Sequence, residues 1–299
     1  MNNRLAFIGG SGLYDLNFLK NIKYLDISSS MGEPSEKIIE GSLGDNKIFF
    51  LPRHGKEHRL SPSAINYRAN IDSLKKCGVT DIISLSAVGS LKENLSPGTF
   101  VIVDQFIDRT VNRIKSFFDD GIVAHVPMAN PVSKELMLLS KSTLKNLQIP
   151  YNFGATYLAM EGPQFSSLAE SNLYRQWGCD VIGMTNMPEA KLAREAEIRY
   201  CSISMVTDYD CWHSGHDSVD LNILIKTLND NVDKSKNFIK QFSEYYYQSI
   251  DFSGDKTSTI LDTSIVTNRE NWDKIIEEEL IHILKTWIHY IQHETQKLT

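Results

Sequence analysis

The chain has no excess of positive charge: 31 lysines and arginines stand against 37 aspartates and glutamates in 299 residues, a formal net charge of -6. Duplex nucleic acid and anionic membranes are therefore excluded as expected partners, and any anion must be held locally. Cysteine is scarce, and Cys77, Cys179, Cys201 and Cys211 show no C-x-x-C spacing. Each lies in or beside an apolar segment, which predicts free, buried thiols of a reducing compartment and hence a cytoplasmic protein. No apolar run approaches a membrane span, and "LAFI" near the N-terminus is too short for a signal-peptide core. Internal repeats, low-complexity tracts and linkers are absent before about residue 252.

What is present is an alternation of short β-rich runs with helical patterns. "RLAFIGG", "NKIFFLP", "TDIISLSA", "TFVIVDQF", "ATYLAM", "CDVIGM" and "RYCSISMVTD" are apolar, often β-branched, and bounded by turn residues. Buried strands have that composition. Between them, "SPSAINYRANIDSLKKCG" carries a Ser-Pro start and a glycine stop, and "SSLAESNLYRQWG" a serine cap and a terminal glycine. The order predicts an α/β fold with a central sheet flanked by helices, in which chemistry gathers at strand ends. The chain divides into a main domain over residues 1–252 and a segment over 253–299. That segment is a polar stretch and then an amphipathic helix from about Arg269, packed on the same domain or at a subunit interface.

Several strands end in unusual chemistry. In "FIGGSGLYD" three glycines surround Ser11, so the backbone can approach a ligand and turn its N–H groups toward an anion. A dinucleotide-binding turn fits less well, because Asp15 stands where the last glycine of that motif belongs. In "FFLPRHGKEHRLSP", Arg53 and His54 follow a strand and could grip phosphate. "HGKEH" also matches an inverted zinc-peptidase pattern, but Gly55 inside it and Pro52 before it deny the helix that such ligands need. "SLSAVGSL" offers the Ser86 hydroxyl and the Ala87 backbone N–H at a third strand end. "AMEGPQFSS" and "VIGMTNMPEA" add the flat face of Phe165, the apolar surface of Met184 and the Thr185 hydroxyl.

The pieces "GGSG", "RHG", "NYRANI", "DQFIDRT", "HVPMA", "EGPQFSS", "WGCDVIGMT", "PEAKLAREA" and "TDYDCW", in this order over roughly residues 4 to 250, resemble the methylthioadenosine phosphorylases of the nucleoside phosphorylase family. The resemblance implies a single-domain fold of that family with a central mixed β-sheet, and a homo-oligomer, either a trimer or a dimer of trimers. It implies a reaction in which inorganic phosphate attacks C1' of the ribosyl unit as the bond to adenine breaks. Phosphate then acts as nucleophile and as counter-charge to a cationic ribosyl transition state. Phosphate would be held by Ser11, Arg53, His54, Ser86, Ala87 and Thr185, and the nucleoside by Phe165, Met184, Asp208, Tyr209 and Asp210. His125 in "HVPMA" would reach a neighbouring subunit's pocket, and Ser166 and Leu221 would set specificity. Phosphate is a substrate, and no metal or organic cofactor is expected.

The two acids of "TDYDCW" follow a buried strand, where a solvated turn would need only one. Adenine leaves badly as an anion, so a general acid that protonates N7 speeds its departure, and Asp208 is the candidate. Carboxyls so close resist double ionisation, which keeps a proton available. Asp210 would accept from the 6-amino group. Three alternatives remain open: a purine nucleoside phosphorylase for 6-oxo or 5'-hydroxy substrates, a nucleosidase that uses water, and a non-catalytic nucleoside-binding protein.

Overall fold

A computed structural model describes residues 3–10, 12–13, 16–213, 221–272 and 274–284, with only the backbone described at 221–225, 249 and 275. The strands are β1 Leu5–Gly9, β2 Lys20–Leu25, β3 Ile38–Leu43, β4 Asn46–Pro52, β5 Asp81–Ser90, β6 Phe100–Val103, β7 Gln105–Asp108, β8 Tyr151–Phe153, β9 Thr156–Ala159, β10 Val181–Gly183 and β11 Arg199–Tyr209. They form one mixed sheet in the order β2-β3-β4-β1-β5-β10-β9-β7, with β11 pairing both β5 and β6, and β8 pairing β6. The expected run "TFVIVDQF" is two strands. β6 pairs β11, whereas β7 pairs β9, because the chain changes neighbours at Asp104.

Strands β4, β1, β5 and β11 run parallel, so their C-terminal ends open on one side of the sheet. Ligand crevices of α/β sheets form at such ends. The four strands are almost wholly buried, as continuous apolar runs require.

The helices are α1 Tyr67–Lys76, α2 Lys134–Asn146, α3 Leu168–Gln176, α4 Asn186–Glu195, α5 Leu221–Ser249 and α6 Lys274–Glu279. The α1 helix begins later than the Ser-Pro signal suggests, because the Asn66 side chain caps it by accepting from Ala69 N at 3.1 Å. Ser167 and Glu170 form a capping box at the start of α3. Along α5 the residues Asn231, Ser235, Phe238, Ile239, Phe242 and Tyr246 are buried at helical spacing, which turns one face into the core.

Leu261, Trp272, Leu280, Ile283 and Leu284 join the same core cluster as the sheet, so the described part of the C-terminal segment packs on the main body. The continuous helix expected from Arg269 is instead a short turn at Arg269–Asn271 and then α6. Between them Trp272 takes an extended backbone (ψ 133°) and buries its indole, which donates to Thr267 O at 3.0 Å. No described helix is long and apolar enough to cross a membrane. The cysteines are free as expected, but Cys211 is exposed and Cys77 only half-buried, since both lie at the ends of their elements.

Candidate active site

A cavity of about 330 Å³ lies at the C-terminal ends of the parallel strands. It gathers Arg53 and His54 after β4, Ser86 and Ala87 within β5, which runs on to Ser90 past the expected strand end, Met184 and Thr185 after β10, and Asp208 and Asp210 at the end of β11. Phe165 borders it with its ring 85% exposed. Ser11 lies outside the described residues, although Gly10 beside it lines the cavity. The side chain of Leu221 is likewise outside the described set.

The acids owe their position to a β-bulge. The register of β11 against β5 shifts between Val206 and Asp208, so one extra residue is accommodated at Thr207. Met205 and Thr207 face the cavity in one phase of the strand, and Asp208 and Asp210 in the next, a re-aiming that regular alternation forbids. Tyr209 is thereby turned out. Its ring stacks on His213 at 4.4 Å and its hydroxyl donates to Glu93 O at 3.1 Å, so its side chain is not among the groups that line the cavity. Ser166 does not line it either: its hydroxyl lies 3.7 Å from the sulfur of Met160, which does. His125 is exposed away from the cavity, its backbone N–H donating to Ser264 O.

At the acidic end, Asp210 is buried and its Oδ2 has no hydrogen-bond partner. An unsatisfied buried acceptor of this kind costs stability unless a ligand supplies the donor. Thr207 Oγ1 lies 2.5 Å from Asp208 Oδ1 and 3.2 Å from Val88 O. A hydroxyl has one proton, and the carbonyl can only accept. The Thr207 hydroxyl donates to Asp208 Oδ1, the shorter contact, with Val88 O as a second acceptor in reach, and so braces the Asp208 carboxyl at the edge of the cavity.

At the other end the groups are donors. Thr185 Oγ1 is buried without a partner, while the backbone N–H of Thr185 donates to the Tyr157 hydroxyl at 3.3 Å. Arg53 is buried, and its guanidinium engages Glu189 through Nε (2.8 Å) and Nη2 (3.2 Å), Ser84 Oγ through Nη2 (2.6 Å) and Leu85 O through Nη1 (3.0 Å). One N–H of Nη1 is left to face a ligand. His54 places its Nδ1 2.9 Å from Leu60 O, so Nδ1 is the donor and Nε2 carries the lone pair. Burial, with the Arg53 charge behind it, lowers the imidazole to about 4 and leaves it neutral at pH 7. The "HGKEH" stretch is no metal site: the His54 and His58 rings stack face to face at 4.0 Å, and Glu57 and His58 take left-handed backbone. Among the described residues no group of three or more metal-ligating side chains converges.

Residues without an assigned role complete the site. Arg113 is buried and donates to the carbonyls of Met184 (2.6 Å), Met187 (2.7 Å) and Glu161 (2.7 Å), clamping the loop that carries Met184. Asn231 lines the cavity from α5, with Nδ2 donating to Val206 O at 3.0 Å and Oδ1 unpartnered. Tyr157 explains Gly183: a Cβ there would stand 2.0 Å from the Tyr157 hydroxyl. Gly162, at φ 67°, likewise leaves room for Met184 Sδ, 2.5 Å from where its Cβ would be. Nothing in the local sequence marks these roles, and only spatial contact assigns them.

Known proteins match this arrangement. The phosphorylase superfamily model matches residues 4–244. An S-methyl-5'-thioadenosine phosphorylase of Rhodospirillum rubrum is 59% identical over 236 residues, covering 79% of this chain and 80% of the relative. One of Bradyrhizobium diazoefficiens is 50% identical over 276 residues, covering 92% and 95%. Among solved structures, a methylthioadenosine phosphorylase from an antarctic soil metagenomic library superposes with a TM-score of 0.88 at 43% identity, covering 95% of this chain and all of that one. A methylthioadenosine phosphorylase of Schistosoma mansoni in complex with adenine superposes with a TM-score of 0.80 at 30% identity, covering 95% and 99%.

Proposed function

The chain belongs to the phosphorylase superfamily, and we propose that it catalyses the phosphorolysis of S-methyl-5'-thioadenosine to adenine and 5-methylthioribose 1-phosphate. The observation that carries this reading is the polarity of the cavity, with unpartnered acceptor at Asp210 Oδ2 and unpartnered donor at Thr185 Oγ1. An aminopurine supplies donors to the first and phosphate oxygens accept from the second.

In the reaction, a phosphate oxygen forms a bond to C1' while the C1'–N9 bond breaks and its electron pair moves into the purine. Asp208 delivers its proton to N7, so adenine leaves as a neutral molecule. Thr207 braces the Asp208 carboxyl, and Asp210 accepts from the 6-amino group. Arg53, Thr185 and Ser86 orient phosphate below the ribose, with Ser11 and the Ala87 backbone as further donors, while Met184 and Phe165 cover the sugar and base. General acid catalysis of this kind contributes roughly 10²–10⁴-fold. The chemistry needs no metal and no organic cofactor.

Phe165, Leu168, Leu173, Trp177, Val111 and Ile114 are exposed apolar residues in segments that adjoin the cavity. A second copy of the chain over this surface would cover Phe165, so the working form is a homo-oligomer, in which exposed His125 is the residue proposed to reach a neighbour's pocket. The free, buried thiols of Cys179 and Cys201 fit a cytoplasmic location. Adenine release from methylthioadenosine, measured with and without phosphate and beside inosine, tests the function. Phosphate-dependent release from methylthioadenosine alone is expected. Release without phosphate would make the protein a nucleosidase, turnover of inosine would refute the role given to the two acids, and binding without release would leave a nucleoside-binding protein.

A further inference from the structure

Glu189 lies behind the cavity wall and is buried. It accepts from Arg53 Nε (2.8 Å), Arg53 Nη2 (3.2 Å), Ser84 Oγ (2.6 Å) and Tyr200 OH (2.8 Å). Every neighbour is a donor, so Glu189 takes part as an acceptor only. The donors are fixed in turn: Asn186 Nδ2 donates to Ser84 Oγ at 3.0 Å and to Tyr200 OH at 2.7 Å, and Ser86 and Ser202 donate to Asn186 Oδ1. The network runs from Glu189 to Ser86 on the cavity wall.

Arg53 is the only lysine or arginine among the described residues that line the cavity. Its charge is already paired with Glu189, and burial keeps His54 uncharged at pH 7. A phosphate ion entering this end of the cavity therefore meets no unpaired cation.

We propose that Glu189 is a positioning and charge-balancing residue: it fixes the Arg53 fork, cancels its charge, and so lets phosphate bind through net-neutral donors. The phosphate then keeps its negative charge for the ribosyl cation. This rests on the phosphorylase reading. A site that neutralised phosphate fully would hold it more tightly in the ground state and weaken it as a counter-charge, a gain in binding that does not raise turnover.

The test is calorimetric titration of inorganic phosphate into the wild type, Glu189→Gln and Glu189→Asp, with methylthioadenosine kinetics on each. In Glu189→Gln the buried Arg53 charge is unpaired until phosphate arrives. Phosphate affinity is expected to rise by more than about tenfold, since a unit charge at hydrogen-bond distance in a buried site is worth at least that, while kcat falls by about tenfold. Glu189→Asp keeps the charge and should hold affinity within about threefold of the wild type. Unchanged or weaker phosphate binding in folded Glu189→Gln overturns the proposal, as does a shift in Glu189→Asp equal to that in Glu189→Gln. Should Glu189→Gln not fold, Arg53→Met combined with Glu189→Leu removes both charges and fills the volume. Affinity within about tenfold of wild type then supports the neutral pair, and a loss beyond a hundredfold refutes it. Phosphate-independent adenine release by the wild type would sink the phosphorylase reading instead, and is seen without any variant.

Discussion

The sheet holds two buried arginine–carboxylate–tyrosine clusters, one around Arg199 where β5 and β11 begin and one around Arg53 where β4 ends, and they differ in one respect. At the N-terminal ends, Arg199 meets Asp81 through Nε (2.6 Å) and Nη2 (2.8 Å), Tyr246 OH donates to Asp81 at 2.5 Å, and Asn3 accepts from Nη2 at 3.2 Å. The Phe252 ring closes over the guanidinium at 3.6 Å. At the end of β4, Arg53 meets Glu189, which also accepts from Tyr200, but the unpartnered Thr185 Oγ1 remains beside it in the cavity. The same ion pair is a staple where aromatic packing covers it and a binding element where donors are left over. Burial and pairing alone do not tell function from support; leftover hydrogen-bonding capacity does.

The comparison breaks most visibly at the closed end. Asp81→Ala leaves Arg199 buried without its partner, and stability should fall by about 3–5 kcal/mol. Urea unfolding measures the loss, and KM for phosphate should not move. A changed KM at unchanged stability would mean that the two ends are coupled. At the open end the effect falls on turnover. Asp208→Asn removes the proton donor, and kcat should drop roughly 10²–10⁴-fold with the unfolding midpoint held; near-normal turnover would dismiss Asp208 as the acid. Thr207→Val is milder. It deletes the hydroxyl that donates to Asp208 Oδ1, worth about 1 kcal/mol or roughly fivefold in kcat, and leaves the phosphate KM alone. An equal loss in phosphate binding would show a packing defect instead.

The sequence and the structure diverge along the same line. Buried apolar runs announced β1, β4, β5, β9, β10 and β11, because a strand covered on both faces writes its burial into every residue. Strand β2, "KNIKYL", is exposed almost throughout and held by its edge pairing with β3, so no periodicity betrays it. Residues at strand ends, among them Arg53, Thr185 and Asp208, were legible because polar groups interrupt an apolar run there. That Tyr209 does not line the cavity while Asp208 and Asp210 do was not legible, since the bulge at Thr207 changes the phase of the strand and a bulge has no composition of its own. Glu189 lies inside a quoted motif and Arg113 in none, and their partners are 136 and 71 residues distant, at Arg53 and Met184. Only the fold joins them.

The smallest expected effect sharpens the comparison through pH. His54 stands at the open end, lowered to about 4 by burial and by the Arg53 charge, with His58 adding to the shift and Glu189 opposing it. Between pH 6.5 and 4 the unfolded chain binds a proton there that the folded chain does not, so this group makes stability fall as the pH falls. Glu195, at the far end of α4, accepts from Ser116 Oγ (2.8 Å) and Phe117 N (2.7 Å), and burial pushes its carboxyl up to about 7 against those bonds. Between pH 7 and 4.5 the folded chain holds the extra proton, so this group makes stability rise as the pH falls. The two oppose each other over pH 4.5–6.5 and flatten the wild-type profile. His54→Gln should therefore raise the thermal midpoint at pH 5 relative to pH 7, measured against the wild type, and Glu195→Gln should lower it. Groups titrating elsewhere cancel in these differences. Parallel profiles for the two variants would mean that neither side chain is held away from its ordinary range by burial, and that the imidazole beside Arg53 takes up its proton just below pH 7 instead of near 4.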